Sequence, residues 1–421
     1  MLFLYNFLTF LYLPIAIARL FYKKKFSIDE FYRLKERFGF SDNDKELHNK
    51  KIIWIHAVSI GEVNTSINLI KSLKKTFPNK NILVTTTTET GSATLMKEFK
   101  EGIFHQYLPF DIIFFIEKFL NFWKPECLIL IETEIWPNLI NKSSKKNIPI
   151  ILLNGRLSDK SLMNYKKIKS LFSKIFVKLN LIIAQSEKDK RNFVEIGAKF
   201  DKVHIDSSLK FDALEQNTLK PSFDFEEKLI SQKKIITCAS THPQEEEILY
   251  ESFKILNDKS THLVLVPRHP ERANLIGSFL RKEDVTFSFL FNGEKLILNL
   301  ENEITIVNEI GHLNYLYSIS DLAFIGGTLI EHGGQNFLEP LKHGIPLSAG
   351  SSVYNFQEIA DQLSELKLLK YGNSAEEIAS IWRKELASKD SQPRKERSFN
   401  YIASQKGSLE RSVGKIKEFI L

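Results

Sequence analysis

The feature that most constrains this chain is a rhythm of short β-rich runs alternating with helical runs, met twice along its length. The first series is KIIWIHA (51–57), NILVTTT (81–87), ECLILI (126–131), IPIILL (148–153), LIIAQ (181–185) and KVHI (202–205). Helical patterns such as Glu62–Lys75 lie between these runs. Strand, helix, strand alternation predicts a parallel sheet covered by helices on both faces. The polar segment DALEQNTLKPSFDF (212–225) lacks periodicity, contains Pro221 and reads as a linker. The rhythm then restarts in KKIITCAS (233–240), THLVLVP (261–267), EITIVN (303–308) and DLAFIGG (321–327). A length of 421 residues exceeds one ordinary core. The expectation is an α/β protein of two Rossmann-like domains facing each other across a cleft, with ligands at the carboxyl ends of the strands.

A different pattern opens the chain. MLFLYNFLTFLYLPIAIA, residues 1–18, carries no charged side chain. Eighteen helical residues span roughly 27 Å, close to the hydrocarbon thickness of a bilayer. Asn6, Thr9 and Pro14 weaken the pattern, so the segment either spans or lies in the interface. An ordinary buried helix is the plainer alternative. A signal peptide carries positive charge ahead of its apolar run, whereas here Arg19, Lys23, Lys24 and Lys25 follow it. Positive charge on that side predicts a cytoplasmic body.

The formal net charge is +7, which favours an anionic partner: nucleic acid, an anionic membrane face or a phosphorylated substrate. No basic patch interleaved with aromatics argues for nucleic acid. Cys127 and Cys238 sit in apolar strand runs and read as reduced core thiols of a cytosolic protein.

Five constellations follow strands. In Ser59-Ile60-Gly61-Glu62, Gly61 would permit a tight strand-to-helix turn, and Glu62 is either a general base or a complement to the helix dipole. The G-x-G-x-x-G fingerprint is absent, against a dehydrogenase. Glu132 and Glu134 form a carboxylate pair at a strand end, where one of them is alternatively a helix cap. Lys210, in LKFD, offers a cation to an anion or is a solvated side chain. In VPRHP, Arg268 presents a phosphate-binding fork between Pro267 and Pro270, or a plain surface turn. Gly326-Gly327-Thr328, followed by HGGQNFLEP (332–340), would aim backbone N–H groups at a phosphate, with Glu339 accepting ribose hydroxyls. No HExxH or paired ligand spacing appears among the histidines, so no zinc is expected.

Taken together, FYRLKERFG, WIHAVSIGE, TTTTETGS, ETEIWPNLI, NGRLSDKS, SLKFD, ASTHPQEEE, LVPRHPER and FIGGTLIEHGGQNFLEP resemble the 3-deoxy-D-manno-octulosonic acid (Kdo) transferases over nearly the whole chain. The resemblance implies a GT-B glycosyltransferase, inverting and without metal or cofactor. It moves Kdo from CMP-Kdo to the lipid A precursor (lipid IVA) at the cytoplasmic side of a bacterial inner membrane. On it, Glu62 matches the general base, and Glu132 and Lys210 match residues that stabilise the transition state. Pro267, Arg268, Ile310, Gly311, His312, Asn336, Phe337, Leu338 and Glu339 match the CMP site. The chain departs from the family at Ser207-Ser208 (usually Gly-Asn), at Ile310 and His312 (often Met and Glu around the Gly), and at Gln335 and Phe337 (usually His and Pro). The implied layout is an anchor over 1–21, an acceptor domain over 22–211, the linker 212–225, and a CMP-sugar domain over 226–421 whose last helix is free to pack back on the first domain. Two rivals stand beside this: a GT-B enzyme using a UDP-sugar, and a non-catalytic membrane-surface binding protein.

Overall fold

The β-rich runs of the first half become parallel strands, and the central ones are covered on both faces. They are β1 (Ile52–His56), β2 (Asn81–Thr86), β3 (Phe104–Tyr107), β4 (Cys127–Ile131), β5 (Ile150–Gly155), β6 (Leu181–Ala184) and β7 (Val203–Ile205). Their order is β3-β2-β1-β4-β5-β6-β7, every pair parallel. The strand order reverses between β1 and β4, the position at which open α/β sheets leave a crevice. The computed structural model describes residues 1–22, 33–41, 51–214 and 233–420, which fall into two compact units. The first comprises Met1–Ala213 and Gln405–Leu421, the second Leu214–Ser404.

The second unit repeats the plan with β8 (Lys234–Thr241), β9 (Thr261–Pro267), β10 (Phe287–Phe289), β11 (Ile304–Ile306), β12 (Leu322–Ile325), β13 (Leu347–Ala349) and β14 (Leu369–Tyr371). The order is β10-β11-β9-β8-β12-β13-β14, again all parallel, and the reversal falls between β8 and β12. The doubly wound α/β expectation holds in both units. Four strands escaped the sequence reading: β3, β10, β13 and β14. Cys127 and Cys238 are both free and buried, as expected.

Most of the linker segment 212–225 lies outside the described residues, as do Lys23, Lys24 and Lys25. At its start, Asp212 is a helix cap. Its carboxylate accepts from Gly407 N and Leu409 N at 2.8 Å each, at the N-terminus of the helix Ser408–Ile420. That helix buries Val413, Ile416 and Ile420 against Val63, Leu69 and Leu73 of the helix Ile60–Thr76. Asp212→Ala removes both acceptors and is expected to cost about 1–2 kcal/mol, read as a lower melting temperature by calorimetry. An unchanged melting temperature would remove the capping role.

The apolar start forms helix α1, Leu2–Tyr22. Leu2 and Tyr5 pack on the core of the first unit, and Tyr5 Oη donates to Asp111 Oδ2 at 2.7 Å. Beyond that contact its apolar side chains are largely exposed. It is the one described helix long and apolar enough to cross a membrane.

Candidate functional site

In the first unit the site forms where β1 and β4 end. Ser59 occupies the N-cap position of the helix Ile60–Thr76 without a side-chain cap bond, and Glu62 is the third helical residue. The carboxylate folds back over the helix start: Oε2 accepts from Val58 N at 2.6 Å and Oε1 from Ser59 Oγ at 3.0 Å. A carboxylate in the first helical turn complements the helix dipole, the plainer alternative for this residue, yet Glu62 is only 7% exposed. Burial, then the nearby charge of Glu134, then that of Glu132, push its carboxyl up to about 7 against the opposing hydrogen bonds. The turn before it needs correction. Gly61 lies inside the first helical turn without a positive φ, and an added Cβ would meet only Ser59 Oγ at 3.9 Å. The strand-to-helix turn is therefore not what requires glycine there.

Val58, which carries one of these bonds, is itself held by the Thr-rich run. Thr87 N and Thr88 N donate to Val58 O at 3.1 and 3.3 Å. Arg37 reaches the same loop through Thr87 O at 3.0 Å. His56, in WIHA, is a fully buried core residue bonded to Thr85, and burial lowers its pKa to about 4, so it stays neutral.

Across the sheet reversal, β4 delivers Glu132 and Glu134. Glu132 holds a left-handed backbone (φ +59°), a strained conformation for a non-glycine residue, fixed by Glu132 N donating to Leu153 O at 2.9 Å. Its carboxylate lies 3.3 Å from Lys210 Nζ. Glu134 accepts from Trp136 Nε1 at 2.9 Å, and burial raises its pKa. Lys210 is placed by Asn154, whose Oδ1 accepts from Ser208 Oγ at 2.9 Å and Leu209 N at 3.2 Å. The departure at Ser208 thus contributes a bond of its own. Glu62, Glu132 and Lys210, far apart in sequence, meet at one crevice. Glu134 joins them, and Asn154 supports Lys210 from behind. Asn154 heads the NGRLSDKS run at a strand end, but the run does not tell that its side chain holds the turn before Lys210.

In the second unit Pro267 ends β9 and Arg268 follows it, exposed, with its N–H donating to Thr241 O at 2.9 Å. Next to it lie His242, His269 and His332: His242 is 6.5 Å from His269 and 4.1 Å from His332, ring to ring. Gln335 Nε2 meets His242 Nε2 at 3.1 Å. Burial, and then the neighbouring His332, His269 and Arg268, lower the His242 pKa to about 4. Ile310 is exposed, and Gly311 has φ +102° with nothing within 4 Å of an added Cβ. His312 is largely covered, 3.5 Å from Glu309, and opens the helix Leu313–Ser318. Asn336 donates to Glu339 Oε1 at 3.1 Å and accepts from Leu338 N at 2.9 Å. Phe337 and Leu338 are core side chains, 0% and 1% exposed, so any ligand there meets their backbone only.

The glycine loop after β12 requires a second correction. The N–H groups of Gly327, Thr328 and Leu329 do converge, but on the protein's own Glu245. Gly327 donates to Oε2 at 2.7 Å, Thr328 and Leu329 to Oε1 at 3.0 Å each, and His242 N adds a fourth bond at 2.9 Å. The loop cannot cradle a phosphate while a buried carboxylate fills it. The helix expected behind it is a single turn, Leu338–Leu341. Gly326 is needed for another reason: a Cβ there would lie 2.5 Å from Ser240 O.

A family model described as 3-deoxy-D-manno-octulosonic-acid transferase (kdotransferase) matches residues 32–213. A 3-deoxy-D-manno-octulosonic acid transferase of Haemophilus influenzae is 35% identical over 393 residues, covering 92% of this chain and 91% of that one. One from Rickettsia bellii is 32% identical, covering 90% and 89%. Among solved structures, a UDP-GlcNAc 2-epimerase from Neisseria meningitidis superposes with a TM-score of 0.62 at 13% identity, covering 87% of this chain and all (100%) of that one. That likeness shows the two-unit fold alone.

Proposed function

The chain belongs to the Kdo transferase family and is a glycosyltransferase of GT-B fold, and on that premise we propose that it moves Kdo from CMP-Kdo to a hydroxyl of the lipid A precursor, with Glu62 as general base. The observation that carries this reading is the Glu62 carboxyl itself. It is buried at the sheet reversal and pushed up to about 7, where a base both ionises and accepts a proton readily. In a single displacement the acceptor oxygen attacks the anomeric carbon. The bond to the CMP phosphate breaks, CMP leaves with the electron pair, and Glu62 takes the hydroxyl proton, so the centre inverts. Lys210 and Glu132 form a charge pair beside that base and steady the charge that develops during attack. Arg268 and the backbone around Gly311 are assigned to the CMP side. Charge on the leaving phosphate is then met by protein cations, without a divalent ion. The apolar α1 is assigned as the membrane anchor that keeps the body beside its lipid acceptor on the cytoplasmic face of the inner membrane.

Incubating the purified protein with CMP-Kdo and lipid A precursor tests the reading. Mass spectrometry should show the acceptor gaining Kdo, in equal yield with and without a chelator. Transfer from a UDP-sugar instead, or loss of transfer on chelation, would overturn it. The acidity of Glu62 also sets a pH dependence. The base works ionised, so kcat/KM should be flat above about pH 7 and fall about tenfold per unit below it. A profile still flat at pH 5.5 would remove Glu62 from the role.

A further inference from the structure

A helix that crosses a bilayer carries its two ends to opposite sides. Both ends of α1 belong to the same side. At its start, Tyr5 is bonded to Asp111, a buried residue whose carboxylate also accepts from Asn138 N at 2.9 Å and Leu139 N at 2.8 Å. At its end, the chain reaches Arg33 after ten further residues, and Arg33 is bonded to Ser92 at 2.9 Å and to Glu36 at 2.7 Å in the same unit. Were α1 to span with the body on its C-terminal side, Tyr5 would lie about 20 Å from Arg19 along the membrane normal, near the far interface. Asp111 could not meet it there. Were it to span the other way, the stretch 23–32 would have to return through hydrocarbon. That stretch carries Lys23, Lys24, Lys25, Asp29 and Glu30, which hydrocarbon excludes.

The surface of α1 is nevertheless made for lipid. Phe3, Phe7, Leu8, Phe10, Leu11 and Ile15 are all more than half exposed. No acidic residue precedes Asp29, while Arg19 and the three lysines follow the apolar run. Arg19 donates to Tyr12 Oη at 2.6 Å, an aromatic and basic pair of the kind that sits at headgroup level. A helix of about 10 Å diameter fits inside one leaflet, which is about 15 Å deep.

We propose that the chain is monotopic: α1 lies within one leaflet of an anionic phospholipid bilayer, parallel to its surface, and does not cross it. The inference rests on the reading of α1 as the membrane anchor. It also accounts for the Tyr5 contact. Asp111 caps the helix Pro137–Lys145, which follows Glu132, Glu134 and Trp136 directly. The leaflet that holds α1 therefore lies beside the carboxylates proposed to meet the acceptor.

The test uses the full chain with single exposed positions replaced, Phe3→Cys, Phe10→Cys and Ile15→Cys, each carrying an NBD fluorophore; the native Cys127 and Cys238 are buried. The proteins are mixed with vesicles of phosphatidylglycerol and phosphatidylethanolamine containing spin-labelled lipids of known depth. All three positions should report similar depths in the outer leaflet, and dithionite added outside should quench none of them more slowly than another by over about twofold. A depth that passes through the bilayer centre at residue 10 and emerges at residue 3 on the far side, with residue 3 protected from dithionite, would mean a spanning helix and overturn the proposal. Floating the vesicles separates the two readings. Failure to bind vesicles at all, or pairing of copies through α1 in place of lipid, would remove the anchor itself. Binding with a transverse helix would remove only the monotopic arrangement.

Discussion

Glu62→Gln is expected to lower transfer by about 10²–10⁴-fold while leaving the affinity for CMP unchanged. The variant isolates the chemistry because glutamine keeps an oxygen for the Val58 N–H, the shorter of the two bonds that fold the side chain back. The helix start is preserved, and what is lost is the capacity to take a proton. The readouts are product formation by mass spectrometry and CMP binding by calorimetry, with a melting temperature to confirm folding. A folded Glu62→Gln protein within threefold of the parent rate would show that another group takes the proton. Glu134, whose pKa burial also raises, would be the next to replace.

Glu245→Ala is expected to have the largest effect on the second unit. One carboxylate, itself 0% exposed, accepts four backbone N–H groups from the turns after β8 and β12. Leaving buried donors without acceptors costs about 1–3 kcal/mol each, so the loss should be at least about 3 kcal/mol even where water enters to replace the side chain. Calorimetry should show a clear drop in the melting temperature, and CMP affinity should fall at least about tenfold because His242 sits on a loop that comes loose and Arg268 donates its N–H to Thr241 O at the root of that loop. Acetate at high concentration should restore part of both by refilling the gap. Unchanged stability and CMP binding would show that the loops hold without the carboxylate.

The sheets were legible in the sequence because their central strands are continuous apolar runs, such as CLILI and LVLV, short and alternating with helical patterns as doubly covered strands do. The four missed strands share a different cause. β3, β10 and β14 are sheet edges of three or four residues, FHQY, FSF and LKY, with polar or half-exposed positions and no apolar run. β13 is interior but only LSA, and its Ser348 is buried because it donates to Ala323 O and accepts from Trp382 Nε1.

The candidate site was legible to the extent that strand ends mark it. Glu62, Glu132 and Lys210 each follow a strand or its connecting turn, and the sheet order then brings them together. The raised pKa of Glu62 was not legible, since it depends on burial that the spacing does not encode. The glycine loop misled for the same reason. Nothing in the run Glu245-Glu246-Glu247 tells that Glu245 fills the loop while Glu246 is paired with Arg272 at 2.7 Å and Thr241 at 2.8 Å. Three adjacent carboxylates look alike in sequence, and only tertiary contacts distinguish them.

The helix Ser408–Ile420 lends itself to one more conclusion. It completes the core beneath the Glu62 helix, although it is encoded after the whole of the second unit. Domains synthesised early generally fold early. Here that order is inverted: the second unit is complete in sequence while the first still lacks a wall. On the ribosome, the segment bearing Glu62 therefore stays unfinished until the last stretch of chain emerges, and a polypeptide cut short by premature termination never closes its first unit.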